Sequence, residues 1–405
     1  FIQRRFEELD YLLFLYFGKI QRNLTLYTLR DLGIRQAHTL KSEFKARYTE
    51  LQDAKNDYFF YSEIERLSEV QSEDEVLSKL ALTQSIPASA IKDQWLLGVA
   101  IKFEELNPQI TLLALRACGS HPARERQARL LYKWDRIEES KTVLEAILQD
   151  PTCDEELLFA EDFFARKFGK KRTGSLTEIL KNSHQVTLSD VYLKKPELGV
   201  IHLYEKQGFT GHFVENYLWV GLFGLIFWDE LFLSPAAKLF NPFERRPVDL
   251  MGPDFYNRYE VLIESKLVQM NDYNAIEFII LKTVTEHYGK MNDLFQWTPN
   301  LAPMVLDFVK KTRNKNVAHI LRTMAKRFDN YHSGYPDLML EKNGEISFIE
   351  VKAEGDSLRY KQLSKARLLR EAGFDVDVIR VKWQSDPNQV YVVVDLETTG
   401  GAPQS

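Results

Sequence analysis

The stretch that decides the fold is Gly334-Tyr335-Pro336-Asp337-Leu338-Met339-Leu340-Glu341-Lys342-Asn343-Gly344-Glu345-Ile346-Ser347-Phe348-Ile349-Glu350-Val351-Lys352. Two strand-forming runs flank Asn343-Gly344, the pair that suits a two-residue hairpin, because both central positions of that turn need positive φ. The expected strands are Leu338 to Lys342 and Glu345 to Lys352. Residues two apart on a strand share a face. Glu350 and Lys352 therefore project together, while Ile349 and Val351 enter an apolar layer. The hairpin folds the first strand back and brings Asp337 beside Glu350. Two carboxylates and an ammonium then meet at one end of a sheet.

Such a set suits a hard divalent cation. Mg²⁺ and Mn²⁺ take carboxylate, carbonyl and water oxygens. Asp337 and Glu350 would supply two of these, and the Val351 carbonyl a third. Lys352 would orient an attacking water or offset phosphate charge. The spacing alone is weak, because Pro-Asp and Glu-x-Lys recur by chance and a Glu/Lys pair on an exposed strand is commonly just solvated. Its context is stronger. A helix from Leu358 to Ala372, stopped at Gly373, carries Gln362 in its first turns. Strands from Phe374 to Lys382 and Val390 to Leu396 complete the core.

Upstream of this core the pattern is helical. Helices are expected at Asn274 to His287, Pro303 to Lys311 and Val317 to Phe328. The apolar run Tyr217 to Phe232 includes Asp229 and Glu230 and is short for a bilayer. It reads as part of one buried helix, Phe213 to Leu233, with Glu215 in the first turn complementing the helix dipole. Asp229 and Glu230 are expected to form salt bridges. Seven Lys or Arg against two Asp between Asp307 and Asp329 give a local basic stripe. Lys310, Lys311, Arg313, Lys315 and Arg322 are candidate phosphate contacts there, with Arg245 and Arg246 beside them; a solvated face or pairing with acidic neighbours is the alternative.

The N-terminal half reads as packed helices up to about Leu115. A short helix in Leu24 to Ile34 ends at Gly33, and Arg22, Arg30, Arg35, Lys41, Lys45 and Arg47 either form a DNA-binding face or are merely solvated. Paired helices follow at Ala128 to Trp134 and Ile137 to Leu148, closed by Asp150-Pro151, then Glu155 to Phe168. This resembles one degenerate tetratricopeptide unit, though a plain helical hairpin accounts for it nearly as well. The tract Arg166-Lys167-Lys170-Lys171-Arg172 is a solvated linker or a phosphate contact.

A net charge of -5 excludes a protein coated in positive charge, but phosphate binding needs only a local stripe. The charged fraction of 27% and hydrophobic fraction of 44% are those of a globular chain. Two cysteines, Cys118 and Cys153, lack metal-ligand spacing, which argues against a structural zinc and points to a reducing compartment. With no signal peptide or membrane span, an intracellular location is expected: bacterial cytoplasm, or the nucleus in a eukaryote.

Gly-Tyr-Pro-Asp-Leu, Phe-Ile-Glu-Val-Lys and Asp356 to Gln362 resemble the virus-type replication-repair nuclease domain of the PD-(D/E)xK superfamily. Gly211 to Leu233, with Glu215 ahead of Trp228-Asp229, and Phe243-Glu244-Arg245-Arg246-Pro247 resemble the Fanconi-associated nuclease family. The resemblance implies a multidomain chain with a mostly α-helical N-terminal half and an α/β C-terminal nuclease domain of restriction-endonuclease-like fold. It implies a helical DNA-binding region with a SAP-like unit (1–115), a tetratricopeptide-like region (116–200) and the nuclease domain (201–405). Asp337, Glu350 and Lys352 match catalytic positions, Glu215 an extra metal-binding glutamate and Gln362 the motif glutamine. Implied with them are Mg²⁺ or Mn²⁺, 5′-flap and branched DNA as substrate, 5′-to-3′ trimming and a role in interstrand crosslink repair. The chain departs from some members in lacking cysteines for a ubiquitin-binding zinc finger, as a bacterial short form would. A Holliday-junction resolvase and a non-catalytic helical scaffold are the alternatives.

Overall fold

The computed structural model describes residues 2–34, 38, 46–69 and 72–385. The final expected strand, Val390 to Leu396, and the basic residues Arg35, Lys41 and Lys45 lie outside these. Among the described residues no helix is long and apolar enough to cross a membrane.

Up to residue 117 the described elements are helices: α1 (Ile2–Phe17), α2 (Thr25–Asp31), α3 (Leu51–Glu65), α4 (Glu73–Leu82), α5 (Ala90–Phe103) and α6 (Pro108–Ala117). Gly33 ends the short α2 turn at φ +70°, the left-handed backbone that glycine adopts without steric cost. Of the scattered arginines, Arg22 pairs with Asp10, Arg30 with Asp31 and Arg47 with Glu244. These three described arginines are thereby each paired with a carboxylate. The next helices are α7 (Ala123–Lys133), α8 (Ile137–Gln149) and α9 (Asp154–Lys167). They share a small core of Ala128, Leu144, Ile147, Phe159 and Phe163. In the tract that follows, Arg166 and Lys171 both pair with Asp162, so the structural role prevails at these two positions.

Then come α10 (Ser175–Asn182), strand β1 (His184–Ser189), α11 (Pro196–Glu205) and β2 (Thr210–Phe213). The remainder is α12 (Leu218–Ile226), α13 (Asp254–Gln269), α14 (Tyr273–His287), α15 (Leu301–Lys311), α16 (Asn314–Lys326), α17 (Phe328–Tyr331), β3 (Leu338–Lys342), β4 (Glu345–Lys352), α18 (Tyr360–Glu371) and β5 (Asp375–Gln384).

The five strands form one mixed sheet in the order β1-β5-β4-β3-β2. β1, β5 and β4 run parallel, whereas β4, β3 and β2 are antiparallel neighbours. Alternation along β4 sends Ile349 and Val351 to one face, where α11 supplies Val200 and Ile201. Phe348 goes to the other face, against the large core around Trp219, Phe308 and Phe374. The sheet begins at His184, ahead of residue 201, and that boundary falls inside α11.

The expected single helix from Phe213 to Leu233 is three pieces. β2 ends at Phe213, a turn covers 215–217, α12 runs to Ile226, and a separate wide helical turn spans Asp229–Leu233. Apolar composition masked the break after Ile226, because Phe227 and Trp228 are as buried as the helix before them. Asn216, at φ +48°, is the residue that turns the chain. Further along, Glu230 and Asp229 pair with Lys266 at 2.8 and 3.8 Å, as expected of them.

Candidate active site

Each member of the site is fixed by backbone geometry before any chemistry is considered. The Asp337 carbonyl accepts the Val214 and Glu215 amides at 2.8 and 3.2 Å, which seats the 215–217 turn against the start of β3. The Asn216 amide oxygen accepts the Gly334 N–H at 2.7 Å and closes the same junction from the other side. The Asp337 carboxylate accepts the Val351 N–H at 2.8 Å, so it is held across the hairpin beside Glu350. On β4, Lys352 Nζ stands 2.7 Å from Glu350 Oε1. Gln362 works in two directions. Its Oε1 accepts the Arg359 N–H at the start of α18, and its Nε2 donates to Glu350 Oε1 at 2.5 Å.

Asp337 and Glu350 are buried, at 9% and 4% exposure. Burial raises the pKa of both, since leaving water disfavours the charged form. Glu215 pushes Asp337 further up, and Asp337 and Glu215 do the same to Glu350. The Val351 amide and Lys352 act in the opposite sense. Two buried carboxylates, both raised by burial and neighbouring charge, form a site that a cation would relieve. Their oxygen donors are the type that hard divalent ions take.

Asp337, Glu350, Lys352 and Gln362 thus adjoin, and Glu215 stands within electrostatic reach. Glu215 is itself exposed, its carboxylate meeting the Asn216 amide at 3.3 Å. Among the described residues no three acidic, histidine or cysteine side chains converge into a ready metal cluster. The expected ring of three carboxylates is therefore open on the Glu215 side. Val351 lies between the acids, and its side chain points into the opposite core.

The expected phosphate contacts fall in four places. Arg245 pairs with Asp293 at 3.1 Å and lines a cleft with Glu215. Arg246 is exposed on the rim of the neighbouring cleft, beside Lys19 and Arg47. Lys311, Arg313 and Lys315 line a cleft with Gly344, Glu345 and Gly373 at the hairpin end of the sheet. Lys310 is exposed on the last turn of α15, next to them. Five residues of β4 separate Glu345 from Glu350, or about 17 Å. This group is remote from the carboxylates. Within it Lys311 is paired with Asp307 and Glu341. Arg322 faces elsewhere, held by two 2.7 Å bonds to Glu264 that fix α16 to α13. The count of charges gave these residues one stripe, but the break at 312–313 and the packing of α16 divide it.

Residues 271–383 match the VRR-NUC domain family. The chain is 31% identical over 183 residues to the Fanconi-associated nuclease 1 homologue of rice, covering 44% of this chain and 19% of that protein. It is 25% identical over 401 residues to the Pseudomonas aeruginosa homologue, covering 93% of this chain and 69% of that one. The fission yeast homologue is 30% identical over 188 residues, covering 46% and 26%. The chain thus spans about a fifth of the rice protein and about two thirds of the bacterial one. A solved structure of paFAN1 bound to 5′-flap DNA with a 2-nucleotide flap and a gap matches with a TM-score of 0.78 at 23% identity, covering 93% of this chain and 71% of that one. A second, with a 1-nucleotide flap, matches with a TM-score of 0.76. These two share the fold.

Proposed function

From a chain that carries a VRR-NUC domain and is a relative of the Fanconi-associated nuclease 1 homologues, we propose a structure-specific DNA nuclease that cuts 5′-flap and related branched DNA by hydrolysis. Trimming in the 5′-to-3′ direction and a part in interstrand crosslink repair belong to the same proposal. The observation that carries it is the buried Asp337–Glu350 pair bridged to Lys352 and Gln362 at one end of β4.

Asp337 and Glu350 would hold a Mg²⁺ or Mn²⁺ ion, with the Val351 carbonyl and Glu215 completing the donor set. Such an ion supplies an activated water and offsets phosphate charge. Glu215, on an exposed turn whose backbone is tied to Asp337, has freedom to close on the site. Lys352 opposes the upward shift of Glu350 and brings an ammonium to the phosphate, where charge grows during displacement. Gln362 holds the Glu350 carboxylate in one orientation. Arg245 and Arg246 are proposed as phosphate contacts near the cut. Lys310, Arg313 and Lys315 are proposed as contacts to a duplex arm. We place the nuclease unit from about residue 184, preceded by a tetratricopeptide-like region and an N-terminal DNA-binding region.

The test is cleavage of 5′-flap, 3′-flap and four-way-junction DNA with Mg²⁺ or Mn²⁺, by the intact chain and by Asp337→Ala. Preference for the 5′ flap, lost in the variant and in EDTA, is the expected result. Preferred cutting of the four-way junction would favour a resolvase. Binding without cutting would favour a scaffold.

A further inference from the structure

Glu215 stands between two clefts of opposite character. One is polar, about 490 Å³, lined by Arg245, Asn292, Asp293 and Gln296. The other, about 860 Å³, is walled by His212, Tyr217, Pro303, Met304 and Met339. Its position follows from register. His212 pairs with Met339 across β2 and β3, and Met339 lies two residues beyond Asp337 on the same face of the extended chain. The apolar wall therefore continues directly from the carboxylates. Tyr217 is held in place by a hydrogen bond between its hydroxyl and that of Thr298.

The chemistry of this cleft excludes a phosphate. Its charged side chains are Glu215 and Asp307, and Asp307 is already paired with Lys311 at 2.8 Å. What fits is a flat, uncharged group with apolar faces and a polar edge. The thioethers, imidazole and phenol ring would contact the faces. The exposed amide of Asn300 offers a donor and an acceptor for the edge. The size is in the range of small-ligand sites.

We propose that this cleft receives one unpaired nucleobase, from the nucleotide next to the phosphate that lies over Asp337 and Glu350. The inference rests on the nuclease reading above and deepens it. A base that must leave a duplex pays for unstacking, whereas a base at a flap or branch is already free. The cleft thus favours DNA whose strand is unpaired beside the cut, independently of its sequence, because each base presents the same faces.

The experiment places 2-aminopurine, in turn, at each position flanking the cut in 5′-flap DNA, and reads fluorescence with the intact chain in EDTA. A signal confined to one position, and lost in His212→Ala and Met304→Ala, is expected. With Mg²⁺, an abasic residue at that position lowers wild-type kcat/KM about tenfold, and the ratio of rates on intact and abasic DNA collapses toward one in both variants. Thermal midpoints check that the variants fold, and the wild-type scan stands without them. DNA that is bound and cut with no position-specific signal overturns this inference alone. The same holds if the variants slow intact and abasic DNA equally. Failure to bind or cut any branched DNA overturns the nuclease reading together with it.

Discussion

Gln362 shows how much one side chain is asked to do. Its oxygen satisfies an N–H at the start of α18, and its amide nitrogen holds Glu350. Gln362→Ala removes both and is expected to lower stability by about 1 kcal/mol, as loss of a cap does, and kcat about tenfold. Gln362→Glu separates the two duties. The new carboxylate still accepts the Arg359 N–H but sets a charge against Glu350, so denaturant melts stay closer to wild type than those of the alanine variant while cleavage falls further. Equal losses in both assays would show that Gln362 acts only as a cap. Lys352→Met is expected to lower kcat about 10²- to 10³-fold, as loss of one charge-stabilising donor does. Asp337→Asn should abolish cleavage yet stabilise the metal-free protein at neutral pH. The folded pKa of Asp337 is raised, so the native state binds protons more tightly than the unfolded chain. The wild-type contribution is full below the ordinary aspartate range and is lost as pH rises through the raised value. A melting temperature in EDTA that is higher for the variant at pH 8, and equal at pH 4, checks this sign.

At the scale of elements, α9 and α18 form the seam between the helical region and the sheet. Asp162 on α9 accepts Ser175 N–H and hydroxyl at 2.6 and 2.7 Å and the Tyr360 hydroxyl at 2.8 Å. Burial pushes its pKa up, but these bonds and Arg166 prevail and hold it at about 2. Its stabilisation is present above the ordinary aspartate value and is lost as pH falls toward 2. Asp162→Ala removes the acceptor of three hydrogen bonds and the partner of Arg166, while Lys171 keeps Glu178 and Ser175, so a loss of about 3 kcal/mol is expected in denaturant melts. On the same seam Lys365 of α18 is 1% exposed and lies over the Tyr331 ring at 4.6 Å. Burial lowers its pKa to about 8. The unfolded chain then holds the proton more tightly between pH 8 and about 10.5, so stability rises with pH through that window. Lys365→Met should be more stable than wild type at pH 7 and lose that advantage by pH 10. The seam was not legible from the chain, because Asp162, Tyr360 and Lys365 sit at unremarkable helical positions and meet only through tertiary packing. The hairpin was legible, because Asn343-Gly344 and the alternation beside it are local signals. β1 and β2 were not. His184-Gln185-Val186-Thr187-Leu188-Ser189 carries only two apolar residues, and Thr210-Gly211-His212-Phe213 has too few to show a period. Asp337, Glu350, Lys352 and Gln362 could be proposed from strand alternation and resemblance, but Glu215 required the resemblance alone. Asn216, which ties the turn to Gly334, carried no signal beyond asparagine's tolerance of positive φ.

For the whole molecule, the arrangement of charge matters more than the total of -5. Lys310, Arg313 and Lys315 stand exposed at the hairpin end of the sheet, where Arg313 and Lys315 share a cleft with Glu345, about 17 Å along β4 from Glu350. A strand rises about 3.4 Å per nucleotide, so a duplex arm leaving the carboxylate site would need about five base pairs to reach them. Their joint replacement by alanine should leave cutting chemistry intact at saturating DNA and weaken binding. Each phosphate contact adds about 0.9 to the slope of log affinity against log salt, so the triple variant's slope should be shallower by about 2 to 3. The geometry adds a second condition, since on DNA whose arm is trimmed to three base pairs the wild-type and triple-variant slopes should coincide. A slope difference that persists on the trimmed arm would place these residues against another part of the DNA, and no difference on the long arm would leave them as a solvated face.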